Sequence, residues 1–164
     1  MAAMEWLEAL TYIITILGLP GAIGVFVYEQ RKERQNEEYE LHRTLSQEYD
    51  DFLKLVLDHA DLLLLQRDRS GGELTDEQKE RKHILLTMLV SLFEKAFIIV
   101  YDTNMSRDQR RRWLSWEDDM REWCRRADFR AELPRLLEGE DDEFGAYILA
   151  IAEAEAGQAR PAPA

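Results

Sequence analysis

The chain has one cysteine, four prolines and eight glycines among 164 residues. A single thiol cannot close an intrachain disulfide, which excludes the small disulfide-stapled secreted domains. So few Gly and Pro residues leave too few turn formers for a β-sandwich or barrel, and Leu, Glu, Arg and Ala dominate as in helical proteins. Positive charge is also short, because 21 Lys and Arg stand against 33 Asp and Glu for a formal net charge of −12. Phosphate binding needs a positive field, so general nucleic-acid binding is excluded. Phosphate-cradling loops are missing too: Gly71-Gly72 has neither the flanking strand nor the Lys that such a loop requires.

Charge of either sign is absent from residues 9–28, ALTYIITILGLPGAIGVFVY. A helix rising 1.5 Å per residue carries this run across about 30 Å, the hydrocarbon thickness of a bilayer. Trp6, Tyr12 and Tyr28 lie near its ends, where amphipathic rings prefer the interface. A cleaved signal peptide would want a basic flank and a shorter apolar core, whereas Glu5 and Glu8 precede this one. The run therefore predicts an uncleaved transmembrane helix. Arg31, Lys32 and Arg34 follow it and no Lys or Arg precedes it, which predicts residues 1–8 outside and the remainder in the cytoplasm. Within the span Thr11, Thr15, Gly18 and Ala22 share one helical face, a candidate surface for association with a second span.

Residues 29–38, EQRKERQNEE, are polar on every side and predict a solvated helical stalk. Residues 39–156 predict an all-α bundle, and residues 157–164, GQARPAPA, a disordered tail. Leu41, Leu45, Tyr49, Phe52 and Val56 have helical spacing, with Leu62–Leu65 ending that helix before RDRSGG. Thr75-x-x-Gln78 and Ser106-x-x-Gln109 are capping boxes that open two further helices. Between them the stretch from Ile84 to Tyr101 is apolar nearly all round; Glu94 and Lys95 interrupt it, so it reads as the central buried helix rather than a second span. Asp128 is placed to cap a short helix containing Pro134, and Asp141 or Asp142 a last one.

Trp113, Trp116, Met120 and Trp123 fall on one face of the third bundle helix. Packing on the central helix is the ordinary use of such a stripe; an exposed interaction surface is the other. The same helix is locally basic, with Arg107, Arg110, Arg111 and Arg112 at its start and Arg121, Arg125 and Arg126 further on. Arg107, Arg110, Arg111, Arg112, Trp113, Trp116 and Trp123 are thus the candidate interaction surface, for a protein partner or for anionic lipid headgroups. The acidic run Glu138, Glu140, Asp141, Asp142 and Glu143 is the expected internal counter-charge.

Chemistry is thinly represented. Cys124 lies beside Arg125 and Arg126, which would lower its pKa, but no His stands near it in sequence. Glu80-x-x-His83 matches half of a di-iron motif, and neither His42 nor His59 supplies the other half. No cofactor and no metal are expected.

YDDFLKLVLDHADL, SLFEKAF and RRRWLSWEDDMREWCRRADFR together resemble a set of uncharacterised bacterial proteins that pair an N-terminal membrane helix with a small tryptophan-containing helical domain. The resemblance implies that architecture and a bacterial inner-membrane location, and carries no activity. Where those proteins tend to have Pro after the first soluble helix, this chain has Ala60-Asp61-Leu62, which removes a stop signal. The functional expectation is a membrane-tethered, non-enzymatic interaction or regulatory module that binds a protein partner or self-associates. The alternative is an oligomerising membrane effector that perturbs the bilayer.

Overall fold

The computed structural model describes residues 2–66 and 73–158, with the side chains of 1–21, 34 and 35 outside that description. Every described element is helical: α1 (Ala2–Asp58), a 3-10 turn (Ala60–Leu62), α2 (Asp76–Val100), α3 (Arg107–Cys124), α4 (Ala127–Leu136) and α5 (Asp142–Gln158). The chain divides into two compact units, Met1–Leu41 and His42–Ala164. In the first, the described apolar residues Ile23, Val25, Phe26, Val27 and Tyr28 are all exposed, and the polar stretch 29–33 follows in the same helix. Thr11, Thr15 and Gly18 lie outside the described side chains, and Ala22 is exposed.

The second unit is the helical bundle. α2 runs antiparallel to the last part of α1, with Lys95 Nζ 2.7 Å from Glu48 at one end and Arg81 3.0 Å from Asp61 just beyond the other. α3 runs parallel to α1: the Tyr49 ring lies 5.7 Å from Trp116, and Phe52 lies 5.9 Å from Trp123. α5 follows α3 in the same sense, pairing Tyr147 with Trp113 and Glu155 with Arg121 and Arg125. Both expected capping boxes form, so Thr75 and Ser106 each accept from the N3 amide while Gln78 and Gln109 reach back to the cap. Asp141 caps α5, accepting from the Phe144 N–H at 2.9 Å.

Three boundaries and the burial of one helix differ from the sequence reading. α1 stops at Asp58 rather than near Leu65, and the chain turns through Leu63 at φ 50°. That turn buries Leu62 and Leu64 while leaving Leu63 and Leu65 outside, an alternation no helix can produce. Arg126, not Asp128, stands at the N-cap of α4; Asp128 sits in the first turn, where it binds Arg126 and Lys82. α2 is central but not buried all round, since Ile84, Met88, Ile98 and Ile99 face out. α5 includes Gly157 and Gln158, which were expected in the tail, and residues 159–164 lie outside the described residues. Among the described residues α2 is also the one helix long and apolar enough to cross a membrane; its inward side forms the bundle core.

Candidate functional site

α3 carries most of the residues singled out from the sequence, and the fold divides them sharply. Trp113, Trp116 and Trp123 are buried, at 2%, 3% and 3% exposure, so the three rings belong to the core and contribute no open surface. Spacing along one helical face directs Trp113 and Trp116 against Tyr49, Phe93 and Phe97, where edge-on aromatic contacts of 5.7 to 6.5 Å form, and Trp123 against Phe52 and Phe129.

Burying an indole requires a partner for its N–H, and two phenols supply it. Trp123 Nε1–H donates to the Tyr49 hydroxyl at 3.2 Å, and that hydroxyl bonds to Asp119. Trp113 Nε1–H donates to the Tyr147 hydroxyl at 2.9 Å, which donates in turn to Glu117 at 2.6 Å. Burial, with Asp119 adding to it, pushes the Tyr49 phenol up to about 12. The Asp119 carboxyl is raised as well, chiefly by its own burial. Burial also acts on Glu117, but the hydrogen bonds from Tyr147 and Arg121 outweigh it and the carboxyl falls below its usual value.

The arginines at the end of α3 and in the turn after it are committed inside the fold. Glu155, only 4% exposed, receives Arg121 at 3.3 Å and Arg125 at 3.2 Å. Arg126 is buried beside Asp128, which also takes Lys82 at 2.9 Å, while Lys82 reaches Glu132 at the same distance. Burial would raise the Asp128 carboxyl, yet Arg126 and Lys82 together hold it well below the usual carboxylate range. The counter-charges are therefore Glu117, Glu122, Asp128 and Glu155, not the acidic run at 138–143. That run instead meets α2: Ser91 Oγ–H donates to Glu140 at 2.9 Å, and Glu94 accepts from the Asp141 amide. Glu155 lies in a run of small residues and carries no signal in the sequence that would single it out.

The earlier arginines behave differently. Arg107, Arg110 and Arg111 are exposed. Arg112 is half-buried beside His42, whose pKa is lowered first by burial and then by that guanidinium.

Neither of the weaker chemical leads assembles a site. Cys124 is fully buried, and burial followed by the Glu155 charge pushes its thiol up to about 12; Arg130 and Arg121 pull the other way and lose. His83 stands 4.0 Å from Glu132 rather than in a ligand set, and no group of three metal-ligating side chains occurs among the described residues.

Sequence reasoning missed the open apolar surface of the bundle. A groove of about 340 Å³ runs between α1 and α2, lined by Glu48, Asp51, Phe52, Leu55, Met88, Ser91, Leu92 and Lys95. A larger hollow of about 680 Å³ lies where α1 ends, lined by Leu53, Val56, Leu57, Ala60, Leu63, Leu64, Leu65 and Gln66. Leu57 and Leu65 there are 74% and 65% exposed. Comparison with protein-family models, curated proteins and solved structures returns no match to this chain.

Proposed function

We propose that this protein is a membrane-tethered, non-enzymatic interaction module: residues 9–28 span the bilayer, and the bundle they anchor binds a protein partner or a second copy in the cytoplasm. The observation that carries the reading is the apolar stretch from Ile23 to Tyr28, exposed on every side of its helix and continuous with an uncharged run. Apolar surface of that kind in water favours a lipid environment, and the polar stalk after it suits the exit from one. On the bundle, the buried charged groups pair with one another, Glu155 with Arg121 and Arg125 and Arg126 with Asp128, while the apolar groove and hollow beside α1 remain open. Open apolar surface rimmed by polar residues suits protein docking.

Fractionation of cells expressing the full chain tests the tether. The protein is expected in the pellet after alkaline carbonate washing, and release into the supernatant overturns the reading. Chemical crosslinking in membranes tests the module. A discrete crosslinked species should form and disappear with Leu57→Glu or Met88→Glu while tryptophan fluorescence shows the bundle still folded. A strictly monomeric species that is indifferent to both substitutions counts against it. Membrane depolarisation on overexpression, abolished by Gly18→Ile and Ala22→Ile, would replace the module with an oligomerising membrane effector.

A further inference from the structure

We propose that the end of the bundle at which α1 enters binds anionic lipid headgroups through Arg107, Arg110 and Arg111, with Ile98 and Ile99 at the lipid interface. The inference rests on the membrane-tether reading and deepens it.

Three observations locate these residues together. His42 begins the bundle and feels the Arg112 charge, and the Tyr49 ring lies on Trp116 with the two helices parallel, so the first turns of α3 stand beside the first bundle residues of α1. α2 runs the opposite way, with Lys95 paired to Glu48, which brings its C-terminal residues to the same end. The connection from Tyr101 to Ser106 then closes that end between them. Ile98 is 62% exposed and Ile99 43%, on the helix that leads into this connection.

The charges there differ from those at the far end of α3 and just beyond it. Arg121, Arg125 and Arg126 are satisfied by buried or half-buried carboxylates, whereas Arg107, Arg110 and Arg111 point into solvent and form no ion pair among the described residues. Arg110 acts on Glu117 through charge alone. Two carboxylates lie among them in the chain: Asp102, which accepts from the Asn104 amide at 2.7 Å, and Asp108 in the first turn of α3. A patch of arginines next to exposed isoleucines matches an anionic membrane surface, where charge attracts and apolar side chains enter the headgroup boundary. The tether keeps this end near the bilayer along the chain, because only residues 29–41 separate the uncharged run from His42, where the bundle begins. A nucleic acid would face the −12 of the whole chain, whereas a lipid surface is met at this one end.

The full chain in nanodiscs provides the test. Asn104→Cys places an exposed thiol in the connection for an environment-sensitive dye, and buried Cys124 stays unlabelled. In phosphatidylglycerol discs the dye should shift to the blue and resist quenching by acrylamide, compared with phosphatidylcholine discs. Salt at about 0.5 M should reverse the effect, because exposed charges are screened. Each arginine near an anionic surface contributes about a fivefold bias, so R107Q/R110Q/R111Q should shift the docked-to-free ratio by roughly a hundredfold. R107K/R110K/R111K should retain docking. Equal quenching in both lipids overturns the lipid inference and leaves the tether standing. Failure of the chain to stay with membranes after carbonate washing overturns the tether and this inference with it.

Discussion

Trp123 illustrates how a single residue on α3 serves the core through both its ring and its polar atom. The ring packs on Phe52 and Phe129, and the N–H is satisfied by the Tyr49 hydroxyl. Trp123→Phe keeps most of the packing and removes the donor, so denaturant unfolding followed by fluorescence of the remaining tryptophans should show a loss of about 2 kcal/mol. Asp119 and Asp128 should respond to substitution in opposite ways although both are half-buried carboxylates. The Asp128 pKa is depressed by Arg126 and Lys82, so its contribution is present above the unfolded value of about 4 and fades as pH falls below it. Asp128→Asn should therefore cost about 3 kcal/mol at neutral pH, with the gap to the wild type closing in acid. The Asp119 pKa is raised, so its ionised form weakens the fold at neutral pH and protonation relieves it. Asp119→Asn should leave stability within about 1 kcal/mol of the wild type at pH 7. Unfolding midpoints at neutral and acid pH check both; a larger loss for Asp119→Asn would sink the contrast.

At the scale of the helix, boundaries set by local chemistry were legible and those set by packing were not. Thr75-x-x-Gln78 and Ser106-x-x-Gln109 announce helix starts because the cap closes on residues three positions away. Thr75→Ala and Ser106→Ala should each cost about 1 kcal/mol, and the double substitution their sum, since the two caps serve different helices. Thermal or denaturant unfolding of the three variants measures this, and strong non-additivity would show that the two helix starts are coupled. The end of α1 obeyed a different logic. Nothing in LDHADLLLL marks Asp58 as its last residue; the chain turns there because Leu62 and Leu64 must reach the core while Leu63 adopts a left-handed conformation. Pro134 stands inside α4, where it has no N–H to donate to the Arg130 carbonyl one turn back, and the helix ends two residues later.

For the whole molecule, Cys124 reports on the integrity of the bundle. Fully buried and with its thiol pushed up to about 12, it should resist a thiol reagent at pH 8 in the folded protein and react when the bundle opens. The labelling rate should therefore rise steeply through the denaturant transition in parallel with tryptophan fluorescence. Fast labelling under native conditions would mean that α3 and α5 separate without global unfolding. The same fold settles the fate of seven arginines placed on one helix by the sequence: position along α3 and the turn into α4 decides which meet Glu117, Glu155 and Asp128 and which reach water.

The all-helical class, the capped starts of α2 and α3 and the aromatic stripe of α3 were determined by sequence alone, because each depends on residues within a few positions of one another. Which carboxylate answers which arginine, where α1 ends and which side of α2 stays open were decided only by tertiary structure. Those outcomes depend on residues tens of positions apart, Arg121 with Glu155 or Lys82 with Asp128, that meet only after the helices have packed.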